Sequence, residues 1–317
     1  MAIPTRVIKR RIKSIRSTGK IMKAMELVAA SKMRKATQLT LATRPYSKLI
    51  QDMAHDLRKL VDPKRYSLLV GKKAPPKNKP LKILLVVLAS DRGLCGGFNN
   101  QLLKKSLEFV RQREGQKVRM VAVGRRAEST IRRSGNELVA SFESIANAPS
   151  FERVKPVASL ISEEFLSGTS DRIFVAFTDY RSALSQVPSV HQLLPIVPEA
   201  ELPKDVNADE QETSDEDEIT RYALPVSRYA DESVILFEPG SDAVMRKILP
   251  RMVEMQLYQA FLESAASEQS ARMMAMRSAG DAAGEMLDNL TFTLNQARQA
   301  AITREISEIS AGKAALE

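Results

Sequence analysis

The first long helix is decided by the segment IKRRIKSIRSTGKIMKAMELVAASKMRKATQL, residues 8–39. Its apolar residues recur every three or four positions, which places them on one face of an α-helix. They are Ile8, Ile12, Ile15, Met22, Met25, Ala29, Met33, Ala36 and Leu39, with Gly19 in one gap. Helix-forming residues on both sides predict one helix from Pro4 to about Lys59. At 1.5 Å per residue it would be about 80 Å long, so we expect a partner helix along its apolar face.

A second long helix is predicted from about Ser241 to Ala311, where no proline follows Pro250. Its middle, residues 264–284, is rich in small side chains, and small side chains let two helices approach closely. Beyond it a heptad pattern continues toward the C-terminus. The pattern consists of Leu287, Leu290, Leu294, Ala297 and Ala301, and it drifts toward Ile302, Ile306 and Ile309. The two terminal segments therefore predict one antiparallel coiled coil.

The middle of the chain alternates apolar runs with helical stretches, as α/β proteins do. The sequence therefore predicts an α/β plus coiled-coil fold, in which the terminal helices pair and enclose a central Rossmann-like domain. Predicted strands lie at 82–88, 117–123, 172–178, 187–195 and 233–237, and helices at about 100–113, 125–133 and 153–166. The predicted domains are an N-terminal helix at 1–62, a linker at 63–80, the α/β domain at 81–238 with an acidic loop at 199–218, and a C-terminal helix at 239–317.

Composition excludes several kinds of site. The single cysteine, Cys95, cannot form an intrachain disulfide or a Cys-rich zinc site, and the only histidines are His55 and His191. We therefore expect no metal, no cofactor and no catalytic triad. No apolar run is long enough to span a bilayer, and the first residues lack the apolar stretch of a secretion signal.

A glycine-rich turn follows the first predicted strand, at Ala89–Asn99. Such a turn could hold a phosphate, as an α/β enzyme would require, but neither nucleotide-binding glycine pattern is present. We therefore predict a structural turn that packs Phe98 and buries Cys95. Its key residues are Asp91, Arg92, Gly93, Gly96 and Gly97.

Charge is concentrated at the N-terminal end. The whole chain carries a formal charge of +10, whereas Arg6–Lys59 contains fifteen basic and three acidic residues. A basic helix can bind nucleic acid, anionic lipid or acidic protein loops. Nucleic acid is the less favoured partner, because the apolar stripe is continuous and no aromatic residue lies between Pro4 and Arg44 for base stacking. A nucleic-acid-binding coiled coil nevertheless stays open as an alternative.

Four segments in the same order along nearly the whole chain resemble the gamma subunits of bacterial F-type ATP synthases. They are the N-terminal residues 12–15 with 20–34, the turn Asp91–Asn99, and the C-terminal segments Glu263–Met273 and Asn295–Ile306. The resemblance implies a non-catalytic rotor in the central stalk. Its paired helices would turn inside the ring of alpha and beta subunits as proton flow drives the c ring, and so drive ATP synthesis at beta.

The resemblance also implies partners and contact residues. Lys20, Lys23 and Met25 match the part of the shaft that passes an acidic loop of beta. Arg272, Arg298, Gln299 and Thr303 match positions that contact alpha and beta, and Phe237 and Glu238 match the foot near the c ring and epsilon. Delta is a further expected subunit. The chain would be a peripheral protein on the cytoplasmic side of the plasma membrane, attached only through the complex.

Overall fold

The computed structural model describes residues 5–60, 65–70, 80–113, 115–145, 149–196 and 240–314. Of the predicted linker at 63–80, the structure describes residues 65–70 and Pro80, and the acidic loop at 199–218 lies outside the described ranges. So does the predicted strand at 233–237, together with Phe237 and Glu238. The predicted combination of paired terminal helices and an α/β domain is confirmed.

Two long helices form the axis of the molecule. Helix α1 spans Thr5–Leu60 and helix α6 spans Ser241–Ala314, and each continues through an internal proline, Pro45 or Pro250. They run antiparallel. Thr43 donates a 2.6 Å hydrogen bond to Gln259, while Gly19 lies beside Ala283 near the other end. Thr43 and Gly19 are 24 positions apart on α1, and their partners Gln259 and Ala283 are also 24 positions apart on α6. The register between the two helices is therefore constant over this length.

Five strands form the sheet of the α/β domain. They are β1 Lys82–Leu88, β2 Lys117–Val123, β3 Glu137–Phe142, β4 Arg172–Tyr180 and β5 Gln186–Leu194, in the spatial order β3-β2-β1-β4-β5. The first four are parallel and β5 is antiparallel to β4. A parallel connection needs a crossover of a dozen or more residues, and only five residues join β4 to β5, so they form a hairpin.

Helices cover both faces of the sheet. Helices α3 Phe98–Arg111 and α4 Arg125–Arg133 pack on one face, and α5 Phe151–Leu166 packs with the base of α6 on the other. Alternate residues of β1 enter the two cores, with Ile83, Leu85 and Val87 on the α3 side and Leu84, Val86 and Leu88 on the α6 side. The short helix α2, Ser67–Val70, closes the α6 side. The sheet therefore covers one side of the first part of α6, residues 245–270, which form the base of this helix.

The structure corrects the sequence predictions at three points. Leu39 is 40% exposed, and Thr40 takes its place in the buried stripe. The heptad pattern is half-buried only as far as Ala297, whereas Ala301, Ile302, Ile306 and Ile309 are exposed. The register places Ala297 opposite Thr5, where α1 begins, so α1 is too short to cover the rest of α6. Strand β3 was not predicted.

Candidate functional site

The residues singled out in the sequence fall into two groups along the helical axis. By the constant register, Met25 lies opposite Arg277, within about 8 Å of Arg272 along the axis. The Asp91–Gly97 turn lies at the same level, because Arg272 Nη2 donates to the Gly93 carbonyl at 3.4 Å. The first group thus combines α1, α6 and the turn. Arg298 lies about 39 Å further along α6 and belongs to the second group.

The α1 part of the first group presents positive charge to solvent. Lys20 and Lys23 are exposed, and the side chain of Lys23 keeps 66% of its surface accessible while its ammonium forms a 2.8 Å ion pair with Glu26. Met25 is half-buried and faces α6. The methionine therefore contributes to helix pairing, and the two lysines remain available to an acidic partner.

The turn after β1 is held by a buried hydrogen-bond network. The Asn99 amide donates to Ser90 Oγ at 2.8 Å and to Cys95 Sγ at 3.1 Å, while the Ser90 backbone N–H donates to Asn99 Oδ1 at 3.0 Å. Burial raises the pKa of the Cys95 thiol, so the thiolate is disfavoured. Cys95 and Phe98 are both buried, as predicted. The network ties the turn to the first residues of α3.

One side of the turn packs against α6, and its tip is exposed to solvent. A Cβ atom added to Gly96 would lie 3.7 Å from the Ala275 side chain, so the turn backbone approaches α6 closely. Asp91 accepts the backbone N–H groups of Arg125 and Ser144, which ties the turn to α4 and to the end of β3. Leu94, with a φ of +63°, is 57% exposed at the tip.

Arg272 is directed inward. Its side chain is 11% exposed and lies 2.7 Å from a Glu268 carboxylate oxygen, and Glu268 is almost fully buried. Burial raises the pKa of Glu268, and the charge of Arg272 opposes that rise. Arg272 therefore braces the turn against α6 in this chain, in addition to the contact with alpha and beta that the resemblance implies for it.

The second group lies on the part of α6 that extends past α1. Arg298, Gln299 and Thr303 are all exposed. Nearby Ile306 and Ile309 are also exposed, at 59% and 68%. These residues point to different sides of a helix that packs against no other element, so every side of the end of α6 is accessible to partners.

Sequence reasoning missed a row of serines that fastens α6 to the sheet. Ser264, Ser267 and Ser270 donate hydrogen bonds of 3.1, 3.1 and 2.6 Å to the carbonyls of Leu88, Thr178 and Ala183. Their spacing of three along a helix was the available signal, because it places all three hydroxyls on one face. These hydroxyls join the helical axis to the carboxyl edge of the sheet.

Within the described residues, no group of three or more His, Cys, Asp or Glu side chains is arranged to hold a metal ion. In the same part of the chain, no helix is both long and apolar enough to cross a bilayer.

Comparison with known proteins gives this arrangement a family. A family model described as ATP synthase matches residues 4–316. The ATP synthase gamma chain of Heliobacterium modesticaldum is 40% identical over 98% of this chain and 98% of its own length. The chain belongs to the ATP synthase gamma chain family. The gamma chains of Dehalococcoides mccartyi strain BAV1 and Herpetosiphon aurantiacus are 38% and 37% identical with the same coverage of both chains.

Solved structures of mitochondrial ATP synthases share the gamma chain fold. A chain from the Euglena gracilis OSCP/F1/c-ring structure in rotational state 3 aligns with a TM-score of 0.61 and 16% identity, over 98% of this chain and 94% of its own. A chain from the Tetrahymena thermophila central stalk and c-ring structure aligns with a TM-score of 0.56 and 22% identity, over 82% and 99%. The predicted family is confirmed, and none of these proteins supports the nucleic-acid or α/β enzyme alternative.

Proposed function

We propose that this chain is the central rotor subunit of an F-type ATP synthase. The observation that carries the proposal is its likeness to bacterial gamma chains along 98% of both lengths. In this role the N-terminal end of α1 and the C-terminal end of α6 lie inside the ring of alpha and beta subunits. The α/β domain sits below that ring with epsilon, on the c ring, and delta completes the set of soluble subunits.

The shape of the chain suits transmission of rotation without chemistry. One bare helix continues beyond a two-helix shaft, so the axis presents a different surface at each rotational angle. Each angle stabilises one set of beta conformations over the others, which changes their nucleotide affinities. The chain itself is non-catalytic, and the complex carries the activity.

The two groups of candidate residues divide the contacts. The exposed ammonium groups of Lys20 and Lys23 face an acidic loop of beta, with the Asp91–Gly97 turn beside them. Arg298, Gln299 and Thr303 contact alpha and beta on the bare helix. Phe237 and Glu238 reach the c ring and epsilon. The chain is then a peripheral membrane protein on the cytoplasmic side, held there by the complex.

The role of Lys23 is tested by charge reversal. Lys23→Glu places a negative charge opposite the acidic loop of beta, so we expect proton-driven ATP synthesis in membranes to fall by more than half. Lys155→Glu makes the same charge change on the exposed side of α5 and should leave synthesis unchanged. Equal synthesis in the Lys23→Glu and wild-type membranes would contradict the contact.

A second measurement separates this role from nucleic-acid binding. The rotor should co-purify with alpha and beta subunits as an ATPase. Steeply salt-dependent DNA binding by the chain, without such an assembly, would overturn the proposal.

A further inference from the structure

Three basic residues lie at the amino edge of the sheet, where the parallel strands begin. Lys82 is the first residue of β1 and Arg172 the first residue of β4, and these two strands are neighbours. Arg113 follows the end of α3, and its guanidinium carbon lies 5.4 Å from the centre of the Phe174 ring. Phe174 is two residues after Arg172, so the two side chains share one face of β4. Lys82, Arg113 and Arg172 form the basic cluster.

Among the residues that the structure describes, no carboxylate forms an ion pair with the basic cluster. Asp171, the acid next to it in sequence, accepts the backbone N–H of Lys82 at 2.9 Å. Arg113 is half-buried, and its Nη1 donates to the Phe109 carbonyl at 3.3 Å. Burial and the positive charge of Arg172 lower the pKa of Arg113. Two like charges on one face, one of them partly desolvated, favour an anion as their neighbour.

The acidic loop at 199–218 is attached to this same edge. Strand β5 runs antiparallel to β4 and ends where β4 begins, with Leu194 opposite Ile173. Ile196, two residues further, is buried in the core. Glu199 follows Ile196 by three residues, which span about 11 Å when fully extended. The first acid of the loop therefore cannot move away from the amino edge of the sheet.

The larger basic surface on α1 is too distant for these first acids. By the constant register Lys20 lies opposite Ala282, whereas Ile196 belongs to the same core as Met245. On α6 these two levels are 37 positions apart, or about 55 Å. The basic cluster is the positive surface within reach of Glu199.

We propose that the basic cluster is the docking surface for the first part of the acidic loop of the same chain, and that it binds the carboxylates of Glu199 and Glu201. The loop carries ten acidic residues and one basic residue, so the charges are complementary. A single surface ion pair changes an equilibrium by about fivefold or less. Attachment to β5 compensates for this weakness, because a short tether keeps the effective concentration of the carboxylates at about millimolar or higher. The docking is a property of this chain and does not depend on the rotor role.

Carbodiimide coupling in the assembled complex tests the contact. The reagent joins an amine to a carboxyl group without a spacer, so it reports only groups that touch. Lys82 has an amine, and Arg172→Lys supplies a second one while it keeps the positive charge. Mass spectrometry should find both amines joined to Glu199 or Glu201.

Two described lysines serve as controls in the same sample. Lys117 lies 3.4 Å from a carboxylate oxygen of Glu137, and this pair should couple. Lys155 is exposed near the start of α5, at the opposite edge of the sheet, and it should not couple to the acidic loop.

Charge exchange identifies the occupant of the cluster. Glu199→Lys with Glu201→Lys should lower the coupling of Arg172→Lys to the loop at least about fivefold. The matched change at the far end of the loop, Asp215→Lys with Asp217→Lys, should lower it less than about twofold. Arg172→Glu added to Glu199→Lys and Glu201→Lys should restore a crosslink between the same positions, with the charges exchanged.

Two results would overturn the proposal. The first is coupling of Lys117 to Glu137 in a sample in which no residue of the acidic loop is joined to the basic cluster. The second is coupling of the Arg172→Lys amine to a carboxyl group of another subunit, which would assign this surface to a partner instead of the acidic loop.

Discussion

The base and the free end of α6 differ in their exposure to solvent. Between Ser264 and Ser270 the helix is buried on every side, against α1 and the sheet, whereas from Arg298 to Ala311 it is exposed on every side. Both halves are rich in Ala, Ser and Glu. The base therefore contributes most to folding of the chain, and the free end contributes almost nothing to it. The residues of the free end can therefore be suited to binding partners without lowering the stability of the folded chain.

The halves also treat charge differently. The base hides Glu263 and Glu268, whose pKa values are raised chiefly by burial, while the free end leaves Arg304 and Glu308 in solvent. Buried acids require partners, and Arg44 and Arg272 fulfil that need. Electrostatic changes at the base should therefore alter the fold, and similar changes at the free end should alter assembly.

The largest effect should come from a core truncation at the base. Phe261 is 2% exposed in the core beneath the sheet, so Phe261→Ala should lower the free energy of unfolding by about 3–5 kcal/mol. Urea unfolding of the full chain measures it. Phe292→Ala is the matched change toward the free end, where Phe292 is 68% exposed, and it should cost less than about 0.5 kcal/mol. Equal costs would abolish the contrast between the halves.

A smaller effect is expected for a serine that joins α6 to the sheet. Ser267 Oγ donates a 3.1 Å hydrogen bond to the Thr178 carbonyl, and both residues are buried. Ser267→Ala should therefore cost about 1–3 kcal/mol, because it leaves a buried acceptor unpaired. The control is Ser307→Ala on the free end, which should be neutral. The same urea titration compares them, and a neutral Ser267→Ala would refute the role of this hydroxyl.

The smallest effect on stability is expected from removal of the free end itself. A chain that ends at Ala297 loses no buried contact with α1, so its unfolding free energy should stay within about 0.5 kcal/mol of wild type. Proton-driven ATP synthesis by the complex should fall sharply in the same variant. A destabilised chain would mean that the free end helps the fold, and unchanged synthesis would mean that it makes no functional contact.

Much of this fold could be predicted because its signals are periodic. The 3.6-residue pattern gave both helices, and continuous apolar runs gave β1, β2 and β4. Strand β3 has no such run, since its sequence ELVASF is only half-buried at the edge of the sheet. Thr40 was missed for a different reason. Its hydroxyl donates to the Ala36 carbonyl at 2.9 Å, which lets a polar residue occupy the buried stripe.

The candidate site could be predicted only in part. The sequence indicates that Lys20 and Lys23 are exposed, because they lie off the apolar face of α1. It does not indicate that Glu268 is buried or that Glu263 is mostly covered. Acidic residues in a helix usually face solvent. Only the folded structure shows that the sheet covers the side of this α6 segment that α1 leaves open. The contact of Arg44 with Glu263 joins residues far apart in sequence, which no local pattern contains.

Observation of rotation tests the central claim most directly. Lys104 is well exposed on the α/β domain and Cys95 is buried, so Lys104→Cys provides a single reactive thiol for a fluorescent or bead probe. The complex is immobilised through its beta subunits and supplied with ATP. The rotor account predicts that the probe turns continuously in one direction during hydrolysis. Active hydrolysis with a stationary probe would contradict it.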